Sequence, residues 1–248
     1  MAATIDVLDP ANPKRVVLFA SNPSVSERTG WPVGFWWAEL THPYWELRQH
    51  GYQIDIASPD GGALEADILS DPRDRSGYSA DDLISLGFVN SPEHARLVED
   101  SLALSDVSVD AYDAALFVGG QAPMYTFFHD ERVQSLVASF YETGAVTAVI
   151  CHATCLLLKV RLGDGRLLVE GKTWTGFANS EERYADELVN QRVQPFWIED
   201  EARKLENTNF IVDGPFKPHA VRDGHLITAQ QQYSGGAAAR LIVEALGR

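Results

Sequence analysis

Short apolar runs set apart by longer mixed segments give this chain its rhythm. Arg15 to Ala20, Tyr52 to Ala57, Ala114 to Val118 and Val146 to Ile150 are rich in β-branched, aromatic and small apolar residues and too short for helices. They read as buried strands. Between the first two, GFWWAELTHPYWELRQHG carries Trp36, Leu40, Tyr44 and Leu47 at near-helical spacing and closes at Gly51. Pro43 inside it implies either a kink or a helix start near Thr41. Further helices are predicted over SPEHARLVEDSLAL, over Glu131 to Thr143, around 181–206 and over AAARLIVEAL. Residues 63–90 look polar and irregular, and Asp164-Gly165, Glu170-Gly171 and Asp223-Gly224 read as hairpin turns. Ser234-Gly235-Gly236 reads as a cap for the last helix. Strands of the buried type alternating with helices predict an α/β fold, with a mostly parallel sheet covered on both faces and small β-hairpins added.

Composition narrows the picture. The 248 residues are 45% hydrophobic and 10% aromatic, enough for a packed core. A single domain over 1–248 is expected, with 1–14 as a lead-in. The formal net charge is −15, a surface that repels nucleic-acid phosphates and anionic lipid. No run approaches the roughly 20 apolar residues of a membrane span. The first residues, MAATIDVLDPANPK, lack the order of a signal peptide. Only two cysteines are present, Cys151 and Cys155, so a disulfide framework is not expected. A cytoplasmic location follows as the expectation.

The candidate chemistry sits in VTAVICHATCLLLKV, residues 146–160. The strand ends abruptly at Cys151-His152, and a helix-like run begins at Ala153. A cysteine at such a junction meets unpaired helix N–H groups and the positive end of the helix dipole, which favours the nucleophilic thiolate. His152 offers either a proton-accepting ring or a backbone N–H for an oxyanion. Cys155, one turn further on, reads as core packing. Gly119-Gly120 ends another strand, as either a tight turn or a donor approaching an oxyanion. Glu39 within WWAEL is either an exposed helix residue or a buried, protonated acid beside the thiolate. Trp31, Trp36, Trp37 and Tyr44 read as core or interface aromatics, or in part as walls of an apolar pocket. His129, His219 and His225 are isolated, no ligand set has metal-site spacing, and no phosphate-cradling glycine loop occurs.

With those residues in view, the chain resembles the ThiJ/PfpI superfamily, relatives of class I glutamine amidotransferases, and within it the heat-shock-protein-31-like, glyoxalase III-type branch. The resemblance rests on FWWAELTHPYWELRQHGYQIDIASPDGG, DAYDAALFVGGQAPMYTF, AVICHA and LLVEGKTWTGFANSEE, and runs from about 15 to 246. It implies a flavodoxin-like three-layer α/β/α sandwich, homodimeric in many relatives, with Cys151 as nucleophile. It pairs Glu39 with the thiolate, matches His152 to the family histidine, and makes Glu182 the carboxylate of the triad, with Glu181 its rival. Gly120, Gln121 and Trp37 are the expected oxyanion and substrate-binding residues. The implied activity converts a small carbonyl substrate, a 2-oxoaldehyde such as methylglyoxal, to a 2-hydroxy acid without added cofactor, with deglycase activity as a related possibility. The alternatives are a thiol-dependent hydratase or amide hydrolase, and a holdase chaperone or redox sensor. The chain departs from the branch near the expected pocket. It has Gly119-Gly120-Gln121-Ala122-Pro123 in place of GGHG, Cys151-His152-Ala153-Thr154 in place of CHGP, and an added Trp31-Pro32-Val33.

Overall fold

The computed structural model describes residues 13–247, so most of the expected lead-in lies outside the described residues. Strand β1 (Arg15–Phe19) is followed by a two-stranded ribbon, β2 (Ser24–Val25) and β3 (Pro32–Val33). Helix α1 (Trp37–Gln49), β4 (Gln53–Ser58), β5 (Asp60–Gly62), α2 (Leu83–Asn90), α3 (Pro92–Glu99) and β6 (Ser101–Ala103) come next. Then follow β7 (Ala114–Phe117), α4 (Glu131–Glu142), β8 (Val146–Ile150), β9 (Thr173–Trp174), α5 (Asn179–Val189) and α6 (Ile198–Ala202). The chain finishes with β10 (Asn209–Phe210), β11 (Ala220–Asp223), β12 (Leu226–Ala229) and α7 (Gly235–Leu246).

Eight strands form one sheet in the order β11-β12-β8-β7-β1-β4-β6-β5. Every pair from β12 to β6 is parallel, while β11 and β5 close the two edges antiparallel. The central strands are apolar along their length because both faces are covered: β7 and β8 are buried at every residue. Taken without β6, the parallel strands run 2-1-3-4-5 in chain order, the flavodoxin-like arrangement. Helices α1 and α7 pack together, and Gly235 permits it: a Cβ there would sit 3.0 Å from Pro43 Cδ and 3.2 Å from the Ala38 carbonyl oxygen.

Several elements differ from the sequence reading for local reasons. Helix α1 starts at Trp37, four residues before Thr41, and carries Pro43 within it. Segment 63–90 is not wholly irregular, since Asp82 caps α2 by accepting from the Ser85 N–H at 3.1 Å. The helix expected over 91–104 stops at Glu99, where Ser101–Ala103 joins the sheet between β4 and β5. The helix expected around 181–206 splits into α5 and α6, because Asn190 takes a left-handed conformation at φ 52° and Pro195 follows. Asp223-Gly224 does turn the β11–β12 hairpin. Glu170-Gly171 does not make one, as β9 pairs in parallel with β10. Ser234 stands at the start of α7 without capping it; its hydroxyl accepts instead from the His219 N–H at 3.1 Å.

Candidate active site

The carboxyl ends of β7 and β8 meet the start of α1, and that junction gathers the expected residues. Strand β8 delivers the chain to Cys151, which takes φ +57°, a left-handed conformation that costs an L-residue about 1–2 kcal/mol. The following turn, Cys151–Leu158, is a 3₁₀-helix rather than the expected α-helix. This sharp bend sets the sulfur at the inner end of a cavity of about 100 Å³. Cys151 is 3% exposed, and that small surface faces the cavity.

Around the sulfur the geometry is a chain of titratable groups. His152 Nδ1 lies 3.4 Å from Cys151 Sγ, and His152 Nε2 lies 3.1 Å from Glu182 Oε1. The imidazole is held flat on Phe177, with ring centroids 4.0 Å apart. On the other side Glu39, fully buried on the first turn of α1, faces the sulfur within hydrogen-bonding reach and accepts the Gly119 N–H at 2.9 Å. Gly119 has to be glycine, because a Cβ would come within 2.8 Å of Cys151 Cβ and 2.5 Å of Glu39 Oε2. Gly120 follows at φ +99°, pressed against the Gly34–Phe35 backbone, and its N–H joins that of His152 in pointing at the sulfur.

Opposing influences act on the thiol. Burial, then the Glu39 carboxylate, push Cys151 well above its ordinary value, and the His152 and Gly120 N–H groups only partly oppose them. Burial thus works against the bare thiolate, while the two N–H groups, and Glu39 when it carries a proton, work for it. Burial likewise pushes Glu39 up to about 7, against the opposing pull of Cys151, His152 and the Gly119 N–H. Glu39 thus keeps a proton near neutrality, as expected of the acid beside the sulfur. For His152 burial works downward, but the charge and hydrogen bond of Glu182 outweigh it and raise the ring's affinity for a proton. The arrangement is that of a thiol beside a base held ready to take its proton.

The two neighbouring glutamates separate cleanly. Glu182 supports His152, whereas Glu181 accepts from the Phe216 N–H at 2.8 Å, Gln230 Nε2 at 2.9 Å and the Ala178 N–H at 3.0 Å. Gly120 and Gln121 both line the cavity. Trp37 does not. It opens α1 on the side facing Phe35 and Phe88, with centroids 4.8 Å and 6.0 Å away, and the neighbouring Trp36 lines the cavity in its place. Trp31, in the added segment, also lines it, while Pro32 and Val33 form β3. Cys155 is fully buried and its thiol reaches the Pro123 carbonyl at 3.6 Å.

One residue escaped the sequence reading. Asp67 is buried and accepts the Gly34 N–H at 3.0 Å and the Gln121 N–H at 2.6 Å, tying the loop before α1 to the loop after β7. Burial pushes its carboxyl up to about 7. An aspartate among Ala66, Ile68 and Leu69 was its only local signal. Among the described residues no group of three or more His, Cys, Asp or Glu side chains is arranged to hold a metal ion, and no helix is long and apolar enough to cross a membrane.

Comparison with known proteins agrees with this geometry. The chain is 25% identical over 242 residues to the probable glutathione-independent glyoxalase hsp3103 of Schizosaccharomyces pombe, covering 88% of this chain and 92% of the relative. It is 24% identical to the glutathione-independent glyoxalase HSP31 of Saccharomyces cerevisiae, covering 94% and 98%. Among solved structures, the Rapid Encystment Protein 24 kDa of Francisella tularensis superposes with a TM-score of 0.83 at 27% identity, over 95% of this chain and 100% of that one. Residues 34–245, from the loop before α1 to the last turn of α7, match the DJ-1/PfpI family, and the chain belongs to it.

Proposed function

We propose that this protein is a glutathione-independent glyoxalase that converts a 2-oxoaldehyde to the 2-hydroxy acid with Cys151 as nucleophile. The observation that carries this reading is the continuous chain Glu39–Cys151–His152–Glu182 at the inner end of the cavity. Similarity to relatives named as glutathione-independent glyoxalases supports the same reading.

The steps follow from the neighbours of the sulfur. His152, held by Glu182, takes the Cys151 proton as Sγ attacks the aldehyde carbon. The N–H groups of Gly120 and His152 receive the developing oxyanion, which takes up a proton to give a hemithioacetal. The C1 proton is then moved to C2, with Glu39 or His152 as carrier, which leaves a thioester at C1 and a hydroxyl at C2. Glu39 suits this task because a pKa near neutrality lets it hold or release a proton at little cost. Water cleaves the thioester and restores the thiol. The net change adds one water to the 2-oxoaldehyde, with C1 oxidised and C2 reduced. Its reverse is loss of water from a hydroxy acid, the sense in which such an enzyme is a hydro-lyase.

The test is incubation with methylglyoxal, without glutathione, followed by quantitation of lactate. Formation of lactate matching aldehyde consumption, and none in Cys151→Ala, is the expected result. Absence of turnover across a panel of 2-oxoaldehydes would falsify the reading.

A further inference from the structure

The cavity is more apolar than methylglyoxal needs and continues past Phe216 and Tyr184 into a wider cleft. The inner cavity, about 100 Å³ against about 30 Å³ for each water, takes a molecule of methylglyoxal's size, and Tyr78, Tyr184 and Phe216 also line an adjoining open cleft of about 580 Å³. Beyond the catalytic groups, the wall on the α5 side includes Tyr184, Leu188, Val189, Val193 and Phe216.

Phe216 shows that this wall is built rather than incidental. It holds φ +58°, where a bulky residue is a genuine outlier. Its N–H is fastened to Glu181 Oε1 at 2.8 Å, and its ring meets Tyr184 edge-on at 5.1 Å. A buried glutamate thus holds an aromatic ring in a strained conformation at the edge of the reaction space. The polar groups nearby are few. Gln121 and Gln194 present buried Oε1 atoms without a hydrogen-bond partner. A carboxamide can donate to the C2 carbonyl of the substrate and accept from the C2 hydroxyl of the product. Among the described residues no lysine or arginine side chain lines the inner cavity to pair with an anionic substrate such as a 2-oxo acid.

Resting on the glyoxalase reading, we propose that the preferred substrates are neutral 2-oxoaldehydes whose C2 carries an aryl or branched apolar substituent, seated against Phe216 and Tyr184. The experiment compares kcat/KM for methylglyoxal, 4-methyl-2-oxopentanal and phenylglyoxal, the last followed as mandelate, in the wild type and in Phe216→Gly. Glycine suits the backbone at 216, so the variant removes the ring without adding backbone strain. The two larger aldehydes are expected to exceed methylglyoxal by about tenfold or more, mostly through KM, and the preference should shrink severalfold in Phe216→Gly. Equal or better use of methylglyoxal, or a preference unchanged by Phe216→Gly, overturns the inference and leaves the glyoxalase reading standing. Turnover of none of the three overturns both.

Discussion

Two cysteines four residues apart lie on one short turn, one at its start and one at its middle, and their surroundings share almost nothing. Cys151 sits at a strained backbone position, faces a cavity, and has His152 on one side and Glu39 on the other. Cys155 is enclosed by the core, with only the Pro123 carbonyl beside its sulfur, and burial leads the causes that push its thiol up. Burial pushes both thiols up, so burial alone does not tell them apart. What differs is access and a base within reach. The same lesson recurs at Glu181 and Glu182. The first spends its oxygens on three structural donors, while the second holds His152 and leaves Oε2 free.

The strongest way to sharpen this contrast is to truncate each thiol. Cys151→Ala is expected to reduce glyoxalase activity to background, a loss of about 10³-fold or more. Cys155→Ala should retain activity within about twofold and lose roughly 1 kcal/mol of stability, read as a lower midpoint in urea. If both variants lose activity alike, the contrast drawn from access and base is wrong.

A smaller separation is expected between the glutamates. Glu182→Gln leaves the imidazole without its carboxylate and should lower kcat about 10²-fold, with KM changed much less. Glu181→Gln turns an amide N–H toward donors, so about 1–3 kcal/mol of stability is lost, with a lesser effect on kcat. Steady-state kinetics together with thermal melts would separate the two, and a reversed ranking would reassign the supporting acid.

The smallest effect is on stability against pH. Glu39 is raised from 4.5 to about 7, and Asp67 from 3.8 to about 7. Each folded-state value lies above the unfolded one, so each contributes stability that is complete in acid and is lost as pH rises through about 7. The contribution is roughly 3 kcal/mol for Glu39 and roughly 4 kcal/mol for Asp67. Between pH 5 and 8 the wild type should therefore lose more stability than Glu39→Gln or Asp67→Asn. Parallel profiles for all three would show that these carboxyl groups titrate normally.

Much of the fold was legible because burial on both faces writes continuous apolar runs: β1, β4, β7 and β8 fall where those runs lie. Local turn chemistry was equally readable at Gly51 and at Asp223-Gly224. What failed depended on competition between local and distant partners. The helical pattern after Ser91 gave way to sheet pairing at Ser101, and the one after Glu181 to a left-handed Asn190. At the site, Cys151, His152, Glu39 and Glu182 came together as the family pattern implied. Trp37 did not, because adjacent residues at a helix start point to different sides. Asp67 left no pattern because its two partners lie 33 and 54 residues away. The extent of burial at the thiol was not legible, because dipole arguments weigh only the turn, while desolvation depends on the whole surroundings.

The left-handed backbone at Cys151 carries an implication for how this protein trades robustness against chemistry. Glycine at that point would relieve the torsional strain and leave a sturdier chain with no sulfur. The fold tolerates a locally unfavourable residue where an easier one is available. Position 151 is thus one that optimising for thermal tolerance alone would erase.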